Sequence, residues 1–332
     1  MNKEFIRFGV IGTNNITDRF LNGAAQVKDF ILTAVYSRSE EKGNAFAEKY
    51  NVQHVFTDLN ELAKSDLIDA IYIASPNAIH EEQSIIFLNH KKHVLCEKAF
   101  ASNSKQVINM INAAKDNQVI LMEAMKTTQL PNFKIIKDNL HRIGKVRKYF
   151  GSYCQYSSRY DKYREGIVLN AFNQKLSNGG LMDLGVYCIH PMINLFGKPK
   201  EIKANALILN SGVDGEGSII FKYDEMEAIA MYSKITNSNL YSEIQGEDGN
   251  IIIENINEFK KVTIVFKDGK QEDLTQFQNE HNMCYEIENF ISMIKNNDKE
   301  RSSKLLQTSK WVMETMDETR KQIGLVFPAD FK

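Results

Sequence analysis

The chain has few cysteines for its length: four in 332 residues, Cys96, Cys154, Cys188 and Cys284. None forms a closely spaced pair, and no Cys/His cluster has zinc spacing, so neither a disulfide framework nor a structural metal site is expected. Each cysteine reads as a small buried hydrophobe, which fits a reducing cytoplasm. An excess of one charge is missing too. The formal net charge is −1, which argues against a nucleic-acid partner, since such proteins carry a basic stripe. The run Lys145-Val146-Arg147-Lys148 reads as a solvated edge. No apolar run approaches the length of a membrane span. The start, Met1-Asn2-Lys3-Glu4-Phe5-Ile6-Arg7, has no apolar core of a signal peptide. Internal repeats and low-complexity tracts are absent. What remains is a globular chain of cytoplasmic type, too long for one core and so divided into two domains.

The first third alternates short apolar runs with longer amphipathic ones. Strands are expected at Ile6–Ile11, Ile31–Tyr36, Ala70–Ala74, His93–Cys96 and Val119–Met122. Helices are expected at Ile16–Val27, Glu40–Tyr50, His80–His90 and Lys105–Asn117. Such alternation predicts an α/β fold, a doubly wound parallel sheet with helices on both faces. Near residue 125 the texture changes. A linking helix at Asn132–His141, a strand at Lys145–Gln155 and a long polar loop at Ser157–Asn178 come next, the loop carrying Arg159, Tyr160, Tyr163 and Arg164. Beyond residue 200 lie candidate strands at Glu201–Leu209, Glu216–Tyr223, Ala228–Ile235, Leu240–Gln245, Asn250–Glu254 and Lys261–Phe266. Their hairpin-length connections imply an antiparallel or mixed sheet. Helices near Asn282–Lys295 and Ser303–Gln322 close the chain. The expected domains are therefore 1–125 and 126–332.

Two segments carry chemistry. The first, Gly9-Val10-Ile11-Gly12-Thr13-Asn14-Asn15-Ile16, follows the first strand and opens the first helix. Glycines there allow a tight turn and a close approach of backbone N–H groups to a pyrophosphate, and the helix N-terminus favours the anion. A dinucleotide fingerprint would place a third glycine near Asn14. Asparagine tolerates positive φ better than other side chains, so the turn is expected to survive. The second strand ends in Ser37-Arg38 rather than in an acidic residue. A guanidinium there suits a 2′-phosphate, which favours NADP(H) and leaves NAD(H) open. Further along, Ser75-Pro76-Asn77 with His80, and Glu97-Lys98, follow two strands at their carboxyl ends, where open parallel sheets bind ligands.

The second segment, Gly179-Gly180-Leu181-Met182-Asp183-Leu184-Gly185-Val186-Tyr187-Cys188-Ile189-His190, reads as a turn opening into a helix. Asp183, Tyr187 and His190 stand four and then three residues apart, so on a regular helix they share a face. An acid, a phenol and an imidazole so placed suit proton transfer to a carbonyl or alcohol oxygen.

Taken together, these residues resemble the Gfo/Idh/MocA oxidoreductases, the family of glucose–fructose oxidoreductase and inositol dehydrogenase, over almost the whole chain. The similarity runs from the Gly9–Ile16 turn through Ser75-Pro76-Asn77, His80, Glu97-Lys98 and Gly179–Tyr187 to the closing Asp317–Pro328 stretch. It implies a Rossmann domain followed by an α/β domain with a large open, mostly antiparallel sheet. It also implies a cofactor site built from Gly9, Gly12, Thr13, Asn14, Asn15, Ile16, Ser37, Arg38, Ser75, Pro76, Asn77, His80, Glu97 and Lys98. It assigns Lys98 to the nicotinamide and Asp183 and Tyr187 to the substrate. On that reading Tyr187 is the acid/base, with Lys98 beside it because a free phenol, with a pKa of about 10, is a weak base at neutral pH. Asp183 orients the substrate, and His190 is the alternative base. The expected reaction is hydride transfer between the cofactor and a hydroxyl/carbonyl pair of a sugar, polyol or diol. The expected assembly is a homodimer or homotetramer, which would cover the open sheet.

Tyr187 stands where many members have histidine, and a tyrosine there looks more like the dihydrodiol dehydrogenase and glucose–fructose oxidoreductase branch. Three departures stand out. Asn14 replaces the third glycine. Ala99 follows Lys98 where the family usually has proline. Lys126, Thr127 and Thr128 follow Glu123-Ala124-Met125 where the dihydrodiol branch tends to carry tryptophan and arginine. The altered glycine turn and Ala99 leave open a redox-inactive dinucleotide-binding regulator, and the resemblance, whose family includes glycosidases, leaves open a cofactor-assisted glycosidase or lyase.

Overall fold

The computed structural model describes residues 4–331; Met1, Asn2 and Lys3, which begin the N-terminal stretch read above, and Lys332 lie outside the described residues. The described chain forms two compact units. One runs up to Lys126 and also contains Asn279–Ser309; the other holds Thr127–Gln278 and the chain from Lys310 onward.

The first unit contains a six-stranded sheet in the order β3-β2-β1-β4-β5-β6. Its strands are β1 (Ile6–Ile11), β2 (Phe30–Tyr36), β3 (His54–Phe56), β4 (Ala70–Ile73), β5 (His93–Glu97) and β6 (Leu121–Ala124), and every pairing is parallel. Parallel strands are covered on both faces, so they read as unbroken apolar runs. All four residues of β4 are buried. The strand order reverses between β1 and β4, which leaves a crevice at their carboxyl ends. Helices α1 (Asn15–Ala24), α2 (Glu40–Lys49), α3 (Leu59–Lys64), α4 (His80–Asn89) and α5 (Ser104–Asp116) connect the strands. The three-residue β3 and the short α3 have no counterpart in the sequence reading, because neither is long enough to show a period. Helix α9 (Cys284–Asn296) completes the core of this unit. Its Cys284, Ile287, Phe290, Ile291 and Met293 join Phe8, Phe20 and Tyr72 in one cluster. The sequence reading placed that helix with the second half of the chain.

The second unit contains an eight-stranded sheet in the order β14-β13-β12-β11-β7-β10-β9-β8. Its strands are β7 (Val146–Cys154), β8 (Glu201–Ile208), β9 (Asp214–Lys222), β10 (Glu227–Ser233), β11 (Ser242–Gly246), β12 (Gly249–Glu254), β13 (Lys261–Phe266) and β14 (Gln271–Asp273). All pairs are antiparallel except β7–β10, which is parallel. Alternate burial along β9 marks one face packed and one open, as the period of two requires. Helix α6 (Pro131–Asn139) precedes β7. The stretch expected as a loop contains the short helix α7 (Tyr160–Arg164) and 3₁₀ turns at Asn170–Phe172 and Gln174–Leu176. Helix α8 (Val186–Phe196) follows it, and α10 (Lys299–Ile323) closes the chain.

Candidate active site

In the first unit the β1–α1 turn depends on Gly12. Its φ is +104°, and a Cβ there would stand 2.9 Å from the carbonyl oxygen of Ala74. Only glycine accepts both conditions. Asn14 behaves differently from the expectation. Its φ is −116°, so no positive-φ tolerance is called on; instead it caps α1. Its Oδ1 accepts from the N–H groups of Ile16 at 3.0 Å and Thr17 at 3.3 Å, and its Nδ2 donates to Ala74 O at 3.0 Å. An asparagine in place of the third glycine thus fastens the turn to the end of β4. Asn15 is exposed, Thr13 is half-buried, and Ile16 packs against the core, so these positions differ in what they can offer a ligand. Gly9 lies within β1 beside Ile71 and Ile68.

At the end of β2, Ser37 is buried and accepts from Ser39 N–H at 3.3 Å. Arg38 is exposed and has no ion-pair partner among the described residues. The pairing of a glycine-cradled turn with an exposed guanidinium one strand away fits a phosphorylated dinucleotide.

The carboxyl ends of β4 and β5 are braced by His80, which is fully buried. Its Nε2 lies 2.8 Å from Ser75 O and its Nδ1 3.1 Å from Ala99 O. Burial pushes the imidazole pKa down, although the two carbonyls work against that. His80 therefore holds the two loops together from within. Ser75 Oγ donates to Gln83 at 2.7 Å, Pro76 opens a 3₁₀ turn, and Asn77 is buried within it. Glu97 is also interior. It accepts from Tyr72 Oη at 2.6 Å, and burial raises its pKa. Lys98 is half-buried next to it, and the Lys98–Ala99 peptide is cis. A second carboxyl, Glu286 on α9, is wholly buried, and neither of its oxygens has a hydrogen-bond partner. Burial first, and the charge of Glu97 second, push its pKa well up, against the pull of Lys126. Sequence reasoning missed Glu286, because a lone glutamate on an amphipathic helix carries no local signal of burial.

In the second unit the Gly179–Gly180 turn owes its glycines to packing. Gly179 has φ +143°, a Cβ there would run into Asp214 Oδ1, and one on Gly180 would lie 3.1 Å from the Tyr232 ring. Asp214, fully buried, accepts from Leu181 N–H at 2.6 Å. Burial raises its pKa. The segment Leu181–Gly185 is then wound as a π-turn, with Val186 N–H donating to Leu181 O, before α8 begins. The wider winding means that the spacing of a regular helix does not carry through Asp183. Asp183 and Tyr187 are half-buried, whereas His190 is 3% exposed. Tyr187 stands edge-on to Tyr153, with ring centroids 5.4 Å apart. Asp183 Oδ2 accepts from Lys234 Nζ at 2.8 Å. Lys234 and Asp214 were not singled out from the sequence; the one available hint was a lysine directly continuing the apolar strand that ends at Ser233. Among the described residues, no group of three or more His, Cys, Asp or Glu side chains could hold a metal ion.

Comparison with known proteins bears on both units. The model of the oxidoreductase family with an NAD-binding Rossmann fold, GFO_IDH_MocA, matches residues 6–125, and the GFO/IDH/MocA C-terminal domain model matches residues 139–252. The chain is 56% identical over 325 residues to the scyllo-inositol 2-dehydrogenase (NADP(+)) IolU of Bacillus subtilis, covering 98% of this chain and 99% of that one. It is 29% identical to the trans-1,2-dihydrobenzene-1,2-diol dehydrogenase of Xenopus laevis, covering 97% and 99%. In fold it is similar to KijD10, a 3-ketoreductase from Actinomadura kijaniata solved with NADP and TDP-benzene, with a TM-score of 0.83 at 22% identity, covering 96% and 98%.

Proposed function

Because the chain belongs to the Gfo/Idh/MocA family and is an NAD(P)-dependent oxidoreductase acting on CH–OH groups of sugars or polyols, we propose that its substrate is a cyclic polyol of the inositol class. The observation that carries this reading is the 56% identity, over 98% of the chain, to an NADP+-dependent scyllo-inositol dehydrogenase. The exposed guanidinium of Arg38 at the end of β2 supports NADP(H) over NAD(H), since it can pair with a 2′-phosphate.

Gly12, Asn14 and the N-terminus of α1 would hold the pyrophosphate, with Ser37 and Arg38 at the adenosine ribose and Ser75–Asn77 and Lys98 toward the nicotinamide. When bound, the cofactor supplies the hydride acceptor and donor. The protein's task is then to manage the hydroxyl proton. Tyr187 takes it in the oxidation direction. Lys98 carries the positive charge that favours the phenolate. Asp183 accepts from the substrate and orients it. His190, interior as it is, is the second choice of base.

The test is a panel of inositols, sugars and diols followed at 340 nm with NADP+ and NAD+. Oxidation of a cyclic polyol with NADP+ preferred is expected; no absorbance change with any of them would reject the reading. Lys98→Met should abolish turnover with cofactor affinity kept, and Tyr187→Phe should cost about 10²-fold in kcat. A more damaging His190→Ala would move the acid/base role to that residue.

We also propose that the protein is cytoplasmic and assembles as a homodimer or homotetramer through the open face of the eight-stranded sheet. Leu207, Ile208 and Ile220 are exposed on its β8 and β9 strands, an apolar surface that a second copy would cover. Light scattering giving a mass near 38.0 kDa would count against it. No helix of the described residues is long and apolar enough to cross a membrane.

A further inference from the structure

The second unit places an ammonium group where solvent barely reaches it. Lys234, directly after β10, is 2% exposed. Its Nζ donates to Asp183 Oδ2 at 2.8 Å and to Ala171 O at 3.0 Å, and it lies 5.2 Å from the centre of the Phe172 ring. The surroundings are otherwise apolar: Ala171, Phe172 and Val213 form a buried cluster, with Tyr160, Tyr163, Leu209 and Ile235 packed against it. A methionine or leucine would suit such a place at least as well, since burying a paired charge gives little net stability over an apolar side chain. The pair is also lopsided. The lysine side chain is 2% exposed and the aspartate 37% exposed. The buried partner therefore serves the open one.

We infer that Lys234 is a positioning residue for the reaction: it holds Asp183 as an oriented, ionised carboxylate, an acceptor that recognises the hydroxyl groups of an uncharged polyol. The inference rests on the reading of Asp183 as the substrate-side carboxylate. An ionised carboxylate accepts and cannot donate. It thus selects a neighbouring hydroxyl on the substrate and disfavours carboxylates and phosphates, which carry like charge. The same ammonium ties the Asn170–Phe172 turn to Asp183, so the aromatic segment of Tyr160, Tyr163 and Phe172 is fixed relative to the carboxylate.

The test compares Lys234→Met with wild type in the polyol assay, using kcat/KM against pH. A fall of about 10²-fold is expected from loss of orientation. The acid limb should move up by about one pH unit, because the carboxylate loses its counter-charge. The KM for NADP+ should stay unchanged. In an Asp183→Asn background the same substitution should add little, since the two residues act as a unit. Lys234→Arg keeps the charge and should leave the acid limb in place even where the rate falls. If the acid limb of Lys234→Met does not move, or the two losses multiply in the double variant, Lys234 merely anchors the Ala171 carbonyl and the inference fails. Other groups face this pair. Asp214 feels the charge of Lys234, Tyr232 feels Asp214 and Glu216, and Tyr187 and His190 lie on α8, directly after the π-turn of Asp183. A residue-resolved NMR titration of the Asp183 carboxyl separates them: it must rise in Lys234→Met. That measurement needs no substrate. A wild type that oxidised no polyol would reject the substrate reading, whereas an unmoved Asp183 carboxyl would reject this one.

Discussion

Two glycine turns lead into helices in this protein, and they do opposite things. At Gly12 the turn has φ +104°, and the helix that follows is capped by a side chain exposed to solvent, Asn14. At Gly179 the turn has φ +143°, and the N-terminus beyond it is closed from inside by the buried carboxylate of Asp214. The first arrangement caps the helix with a neutral, exposed amide, so the positive end of its dipole still faces water, where an anion can arrive. The second uses the protein's own carboxylate as that anion. The glycines are required in both for close approach within the protein: to the Ala74 carbonyl at Gly12, and to an internal acid at Gly179 and an aromatic ring at Gly180. A glycine-turn-helix pattern is therefore open to an anion only where no carboxyl of the protein has already closed it.

The largest effect that would break this contrast is Gly179→Ala. The added Cβ meets Asp214 in a backbone conformation unfavourable to side chains, so a loss of about 3 kcal/mol or more in unfolding free energy is expected. Gly12→Ala should instead weaken NADP+ binding with a smaller change in stability. Denaturant titration with dinucleotide binding by fluorescence checks both; equal stability losses would erase the distinction.

The two units also treat buried acid differently, since Asp214 has a backbone donor and Glu286 has none. A carboxyl whose folded pKa is raised stabilises fully below its unfolded pKa and loses that contribution as pH rises toward the folded value. For Glu286, stability should decline as pH climbs above the usual carboxylate range, by up to about 1.4 kcal/mol per pH unit. Glu286→Gln should flatten that decline and stabilise the protein at neutral pH. Melting temperatures from pH 5 to 8 that run parallel in the two proteins would show that Glu286 is already ionised.

Smaller still is the effect of Arg38→Ala, expected to raise the Kd for NADP+ about tenfold while leaving that for NAD+ nearly unchanged, as for loss of one charge-assisted contact. Equal effects on both would take the 2′-phosphate away from Arg38. The mildest change is Asn14→Ala. Loss of the cap should cost about 1 kcal/mol, read as a shift in the unfolding midpoint, with Asn14→Ser recovering most of it.

Much of the first unit was legible residue by residue. Ala70–Ile73 reads as a strand because a strand covered on both faces must be apolar throughout, and the Gly12 turn reads as a turn because it needs glycine. The existence of β8 to β13 was legible for a similar reason, since an open face forces alternation. Partners across the fold were not. The parallel pairing of β7 with β10 joins Lys148 to Glu227, and no local pattern names a partner so far along the chain. Helix α9 shows its apolar face in sequence but not which core receives it.

The candidate site divides in the same way. Lys98, Asp183 and Tyr187 could be picked out because reactive side chains beside turns and strand ends are conspicuous. The regular helix assumed for Asp183–His190 failed at the π-turn, whose i→i+5 bonds are settled by packing against Asp214 and Tyr232. The strands, the turns and the candidate reactive groups could thus be read locally, since these follow from side-chain size, polarity and backbone freedom within a few residues. That His80 braces two loops, that Glu286 lies unpartnered in the core and that Lys234 holds Asp183 emerges on folding, because burial and pairing of charge depend on what distant segments bring alongside.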